Sequence, residues 1–566
     1  MPSLTRKLIN GRPYYYARWC QRVDGRPKIV KTLYLGPIEN LVQAVESVQQ
    51  PLPPHTAEVS YFGDVAALYD QTAQLGLIEL IDAQLPKRDQ GLSVGQYLVL
   101  AAINRAAHPT SKTKLADWYR RTILPRLIPA TADQLSSQAF WNHMERVEPA
   151  DIQAIETKLS TRLLQQLKLD LRTLVYDGTN FFTYINTRNP ATLPARGHNK
   201  QKRTDLRQVN LGLLVSTDFH VPLMHQVYTG NLTDATAFQT LSEELAQRYR
   251  LLAEGCQHIT LIFDKGNNSI DAFQHLDQSA FHFVGSLVPS QHPDLLKIPL
   301  DQLRPLSGSR LEGVSAYRTR KKVFGQERTV LITFNEALLE GQLQGITANL
   351  EKARGKLAAL QEGLRRHQQG RVKGGRVPQA ESIRKQVEQI LSGQYLKELL
   401  HCEVTDGAVP SLRYRSDTAA LSRMVETQLG KTLLFTDNED WTDEQIVLGY
   451  RAQHHIESAF RDMKNPHFLG WSPMFHWTDS KIRVHAFYCV LALLLTSLLQ
   501  RSLHGKGIDL SLTRLMEVLG SIQEVLVIYP RQPGQRNPRM ATCLSRLDEE
   551  QKRVYDALNL GRHQAA

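Results

Sequence analysis

Tyr450, Gln453, Glu457 and Lys464 are the first residues from which chemistry can be argued. At ~100° per residue they fall within a stripe ~60° wide on one side of a helix. Leu448, Ala452, Ile456, Ala459 and Met463 fall on the opposite side. The spacing predicts one short helix, Tyr450 to Lys464, with an apolar back and a front of phenol, amide, carboxylate and ammonium. Thr442 with Gln445 predicts a capping-box lead-in, and Asn465-Pro466 predicts a stop. A polar stripe alone is compatible with a plain solvated face. Two more carboxylates supply a second reading. Asp177 closes the apolar run from Leu171, and Asp264 closes the run from His258, so each run predicts a strand ending in an acid. A lone acid at a strand end is usually a turn residue or a cap.

Three such carboxylates are oxygen ligands of the kind hard divalent cations take: Mg²⁺, with Mn²⁺ as a substitute. Two ions ~4 Å apart can activate a water or a 3′-hydroxyl on one side of a phosphodiester and stabilise the leaving oxygen on the other. Asp177 and Asp264 then act as sheet ligands and Glu457 as the helical one. Lys464 and Tyr450 lie about two turns to either side of Glu457, placed to meet phosphate. No Ser-His-Asp signature, Walker loop or GxGxxG context competes with this set.

The chain that must position these residues has 566 residues, 68 Lys+Arg against 56 Asp+Glu, a net charge of +12 and a pI near 9.3. That balance favours an anionic partner, nucleic acid first, with a merely basic soluble protein still open. The five cysteines, Cys20, Cys256, Cys402, Cys489 and Cys543, are scattered without CxxC spacing. They suit a reducing cytoplasm and argue against a zinc or disulfide framework. The N-terminus lacks an apolar signal region, and the run Ala486 to Leu499 is too short to span a bilayer, so a buried core helix and no membrane are expected.

Six regions are expected. Residues 1–58 read as a small β-rich module, with a hairpin of 14–19 and 28–35 around Asp24-Gly25-Arg26-Pro27. Residues 59–170 are helical; Lys112, Lys114, Arg120, Arg121 and Arg126 make them a candidate DNA reader, with a scaffold role equally open. Residues 171–289 supply strands at 171–177, 208–216, 221–228, 258–264 and 281–287, with 180–185 continuing the sheet after the first and a helix at 235–252. That order suits an α/β mixed sheet of ribonuclease H type. Residues 290–440 interrupt it as a β-rich insertion with a hairpin (314–323, 328–334), a long helical arm (336–368, 379–399) tipped by Arg371 to Arg376, and three strands near 401–406, 411–415 and 431–436. Residues 441–505 complete the core with the Glu457 helix, and 506–566 are a candidate dimerisation region.

With these residues in view, the chain resembles bacterial insertion-sequence transposases of the DDE type, in the group marked by Y-x2-R-x3-E-x6-K. Here the signature reads Tyr450, Gln453, Glu457, Lys464, with glutamine in place of arginine; Arg451 and Arg461 lie off the stripe. Asp177-Gly178-Thr179 resembles the first-acid motif and Phe263-Asp264-Lys265-Gly266 the second. Arg196 to Lys200 with Arg203, Asp205 and Gln208 resembles the basic loop between strands, and Gly230-Asn231 with Asp234 the turn after it. The resemblance covers about 170 to 290 and 430 to 500. It implies a ribonuclease H-like core interrupted by an inserted domain, which accounts for the 193 positions from Asp264 to Glu457. It further implies binding of double-stranded terminal inverted repeats, Mg²⁺-dependent cleavage at the element ends, joining of the 3′-hydroxyl to target DNA, and a homodimer in a synaptic complex. A hairpin intermediate is associated with the group. Asp177, Asp264 and Glu457 inherit the catalytic and metal-binding roles; Tyr450, Gln453, Lys464, Lys200, Arg203 and Lys265 form the expected DNA-binding set. A transposase-derived DNA binder without catalysis and a metal-dependent nuclease are the alternatives.

Overall fold

Aromatic and β-branched residues at 14–19 and 28–35 favour strands, and strands form there. The computed structural model describes residues 2–23, 26–49, 53–87, 91–199, 201–233, 236–238, 258–279, 281–372, 377–531 and 536–565. By its internal contacts the chain divides into two compact units: Met1–Ala67 with Asp117–Leu127 and Arg514–Ala566, and Leu68–Ala116 with Ile128–Thr513. In the first unit β1 (Ser3–Ile9), β2 (Arg12–Val23) and β3 (Arg26–Gly36) form an antiparallel sheet in that order. The expected hairpin is therefore extended by a third strand, and its turn residues Asp24 and Gly25 lie outside the described residues. The next strand of this unit, β4 (Thr56–Tyr61), belongs to its second sheet.

In the other unit the runs around the two aspartates make β5 (Thr173–Thr183), β6 (Arg207–Ser216), β7 (Pro222–Thr229), β8 (Ile259–Ile262) and β9 (Phe281–Ser286). β6 is buried along nearly its whole length, which is why its sequence is almost continuously apolar rather than alternating. Further along come β10 (Arg304–Pro305), β11 (Val314–Val323), β12 (Gln326–Asn335), β13 (Leu400–Thr405), β14 (Ser411–Ser416) and β15 (Lys431–Thr436). All but β13 and β14 join one nine-stranded mixed sheet, ordered β10-β11-β12-β15-β9-β8-β5-β6-β7. β5, β8 and β9 run parallel to one another, and the other pairings are antiparallel. Phe263, Phe273, Phe283 and Phe435 pack ring to ring over its middle, with centroids 5.1–5.9 Å apart.

The stretch 290–440, expected to interrupt the core, contributes strands to the main sheet as well as elements outside it. β11, β12 and β15 extend the main sheet, because Val330, Leu331 and Ile332 carry an apolar ladder that pairs with Leu433 to Phe435. What leaves the sheet begins with the helix Glu336–Gln368 and returns through Ala380–Ile390, Leu396–Leu399, the β13–β14 hairpin and Thr418–Thr427. It has a small core of its own, including Leu357, Leu364, Ile383, Val387 and Leu412. The returning helix is shorter than expected, and residues 373–376 of the arm's tip lie outside the described residues. So does nearly all of the helix expected at 235–252, of which only 236–238 are described.

The apolar run Ala486 to Leu499 sits within the helix Asp479–His504, which packs on the helix Val94–Ala107 and on β7. Among the described residues it is the one helix long and apolar enough to cross a membrane, and nearly all of its apolar stretch is buried inside the protein. In the first unit, β16 (Gln523–Ile528) lies between β4 and β17 (Met540–Leu544).

Candidate functional site

Register brings the two aspartates level. In the parallel ladders Val175 of β5 pairs with Ile262 of β8, and Ile262 pairs with Val284 of β9. Two positions further on stand Asp177, Asp264 and Ser286. Asp177 is not a strand-terminal acid: β5 runs unbroken to Thr183, because Gly178 to Thr183 continue the ladder with β6. Its Oδ1 accepts a hydrogen bond from the Gly178 amide at 2.8 Å. Asp264 lies beyond the end of β8 and caps the 3₁₀ turn Lys265–Asn267. One of its oxygens, Oδ1, accepts from the Lys265 amide at 2.7 Å, the Ser286 hydroxyl at 3.0 Å and the Tyr450 hydroxyl at 3.2 Å.

The single helix expected through Tyr450 is two helices. The capping box of Thr442 and Gln445 starts the first, Asp443–Arg451; the second is Gln453–Met463. They join at Ala452, whose amide reaches the carbonyls of both Leu448 and Gly449, a tightened last turn that ends the regular ladder. The apolar back holds across the joint, since Ala452, Ile456, Ala459 and Met463 are buried, while Leu448 is exposed. The polar front is split. Tyr450 leans on Asp264 and is half-buried. Burial pushes its phenol up, and the Asp264 carboxylate, with Glu457 further off, pushes it the same way, so it stays a protonated donor. Glu457 is exposed.

The helix Gln453–Met463 packs on β5, and between them opens a cleft of about 860 Å³. Asp177, Thr179, Glu457, Arg461 and Lys464 line it. Lys464 Nζ donates to the Thr179 hydroxyl at 2.6 Å and lies 5.3 Å from the centre of the Phe181 ring. Trp471 stacks on the same ring at 4.2 Å, tying the segment after the helix to β5. That segment is held further by Arg105, which is buried and donates to the carbonyls of Thr110, Gly470 and Pro473 at 2.9–3.2 Å. The other rim of the cleft is the loop before β6. Gln208 donates to the carbonyls of His198 and Gly230, and Asn199 bridges the backbone of Gly197 and Arg203. A Cβ on Gly197 would lie 1.9 Å from the Gly230 carbonyl oxygen, so only glycine allows this approach.

The remaining expected residues are distributed as follows. Arg203 is exposed and pairs with Asp205 at 2.6 Å, holding that carboxyl down at about 2. Lys265 is exposed beside Asp264. Gln453 leaves its Nε2 buried with no partner among the described residues. Lys200 lies outside the described residues, as does Asp234. Arg451 bonds the Arg310 carbonyl, whereas Arg461 lines the cleft although its position is off the expected stripe.

In kind the three carboxylates fit a hard divalent cation, since every ligand atom is a carboxylate oxygen. Asp177 and Glu457 share the cleft, and Asp264 stands level with Asp177 one strand over. They do not form a ready cage: among the described residues no group of three or more His, Cys, Asp or Glu side chains could hold a metal ion. Asp264 Oδ1 is engaged by Ser286 and Tyr450, and Glu457 sits on an exposed helix face. Ser286 was not marked by any motif, Thr179 stood only as part of the first-acid motif, and Arg461 lay off the stripe. Ser286 becomes relevant only through the β8–β9 register.

Residues 169–495 match the family described as Transposase DDE domain. They make up more than half of the chain. The chain belongs to the DDE transposase family. No curated protein matches it. Among solved structures, this DDE transposase is similar to the piggyBac transposase in its synaptic complex with hairpin DNA, at 9% identity and a TM-score of 0.36, over 82% of each chain. It is also similar to the Mos1 transposase in its paired-end complex with the left transposon end, at 14% identity and a TM-score of 0.15, over 37% of this chain and 63% of that one. A Mos1 paired-end complex with Mn gives 12% identity and a TM-score of 0.14, over 43% and 70%.

Proposed function

We propose that this DDE transposase is an insertion-sequence enzyme of bacterial type, working as a homodimer in the cytoplasm. In this reading it binds terminal inverted repeats, cleaves phosphodiester bonds at the element ends and joins the 3′-hydroxyls to target DNA. Asp177, Asp264 and Glu457 would hold two divalent cations, Mg²⁺ or Mn²⁺. When bound, the ions supply an activated oxygen nucleophile and stabilise the leaving 3′-oxygen. Lys464 and Arg461 would meet the phosphates entering the cleft, with Gln453, Lys200, Arg203 and Lys265 as further DNA contacts. The sheet around β5 would be a ribonuclease H-like core, with the helical arm as its insertion, residues 59–170 as a DNA-binding region and 506–566 as a dimerisation region.

The observation that carries the reading is the shared level of Asp177 and Asp264 on adjoining parallel strands, with the Glu457 helix packed on β5 along Asp177's cleft. The test is a cleavage assay on duplexes bearing the DNA that flanks the coding region. Asp177→Ala, Asp264→Ala and Glu457→Ala should each abolish divalent-cation-dependent nicking while retaining a mobility shift; nicking that survives in any of them refutes the assignment. Gln453, where the resembled signature has arginine, favours a second reading, a DNA binder without catalysis. A wild-type protein that shifts its own ends but never nicks them, with Mg²⁺ or Mn²⁺ present, would establish it. Strand transfer into a second duplex separates the transposase from a plain nuclease.

A further inference from the structure

The resemblance assigns Tyr450 to DNA phosphate, but its hydroxyl is already engaged. It donates to Asp264 Oδ1 at 3.2 Å, and the phenol is half-buried against the sheet. Ser286 donates to the same oxygen at 3.0 Å. Ser286 is itself buried, and its carbonyl is held by the Asn268 side chain at 2.8 Å. With the Lys265 amide at 2.7 Å, three donors from three separate elements converge on one carboxylate oxygen. No hydrogen bond from the described residues reaches Oδ2. A carboxylate with one oxygen saturated has its plane and rotamer set, and its second oxygen is the one left to bind a cation.

We propose that Tyr450 and Ser286 are positioning residues for Asp264, filling Oδ1 so that Oδ2 is presented as the metal-binding oxygen. The inference rests on the reading of Asp264 as a metal ligand and adds a role that the signature motif does not give Tyr450. Groups that orient a ligand typically change metal affinity about 10–100-fold when removed. The joint at Ala452 fits this division of labour: Tyr450 belongs to the helix that ends there, and Glu457 belongs to the next one.

The test uses the full chain without DNA and Mn²⁺ alone as the probe, with free Mn²⁺ followed by electron paramagnetic resonance. Tyr450→Phe keeps the ring and removes only the donor; Ser286→Ala removes the other. Each should weaken Mn²⁺ binding about tenfold or more. The same variants are titrated on flanking DNA over a range of salt, where Tyr450→Phe should keep the wild-type slope. A role confined to folding would lower the melting temperature and leave Mn²⁺ affinity alone. Mn²⁺ affinity within twofold of wild type in both variants overturns the inference, as does a shallower salt slope in Tyr450→Phe with unchanged Mn²⁺ binding, which would make the phenol a phosphate contact. If Tyr450→Phe does not fold, Ser286→Ala decides by itself. Asp264→Asn separates the two levels: if it binds Mn²⁺ as wild type does, the metal-ligand reading fails and this inference with it. If it loses Mn²⁺ while the two positioning variants do not, only the inference fails.

Discussion

Asp462 lies on the Glu457 helix, two residues before Lys464, and is 8% exposed. Burial raises its carboxyl from the ordinary 3.8 to about 6, and the neighbouring Arg461 charge offsets only part of that. Ionising it in the folded chain is then unfavourable, relative to the unfolded chain, by at most about 3 kcal/mol. The sign follows from the direction of the shift. Below the unfolded value both states hold the proton, and the contribution to stability is complete. As pH rises from about 4 through about 6, the unfolded chain releases its proton first and stability is lost; above that window the loss is constant. Asp462→Asn keeps the shape and cannot ionise. Its urea midpoint should match wild type near pH 4 and exceed it by neutral pH, with the gap opening inside this window. A gap independent of pH would mean that the carboxyl titrates alike in both states, and one that closes as pH rises that the folded carboxylate is stabilised by a partner; either refutes the reasoning.

Three further outcomes are expected. His220 and His455 are both pulled from 6.5 down to about 4, chiefly by burial and then by neighbouring histidines, so their contribution is present above pH 6.5 and lost as pH falls toward 4. His220→Asn, which tolerates the positive φ there, should lose less melting temperature than wild type between pH 7 and pH 4.5. Arg105→Met strands the carbonyls of Thr110, Gly470 and Pro473 and should cost at least about 3 kcal/mol, read by denaturant midpoint; a loss below about 1 kcal/mol would show that the segment after the Glu457 helix is held by other contacts. Lys464→Ala should flatten the dependence of log K on log salt for end DNA by about 0.9, and an unchanged slope would leave Lys464 bonded to Thr179 rather than to phosphate.

Local signals settled what could be settled from local interactions. The capping box at Thr442, the apolar back of the Glu457 helix, the strands β6, β7, β9, β11 and β12, and the long helix from Glu336 were legible because periodicity and caps report on neighbours in the chain. The break at Ala452 was not, since both sides keep the same helical spacing. Nor was the union of the runs before and after Asp177 into one strand, which depends on pairing with β6.

What the sequence by itself determined is the chemical inventory: three acids, a basic chain and a polar helical stripe of Tyr450, Gln453, Glu457 and Lys464. Only the tertiary structure decided how that inventory is shared out. Strand register put Ser286 level with Asp264, and sheet order put β11, β12 and β15 in the nine-stranded sheet with β5, β8 and β9. It also set Tyr450 against an aspartate and Lys464 against Thr179. Register and sheet order are fixed by contacts between residues far apart in the chain, and no local spacing encodes those.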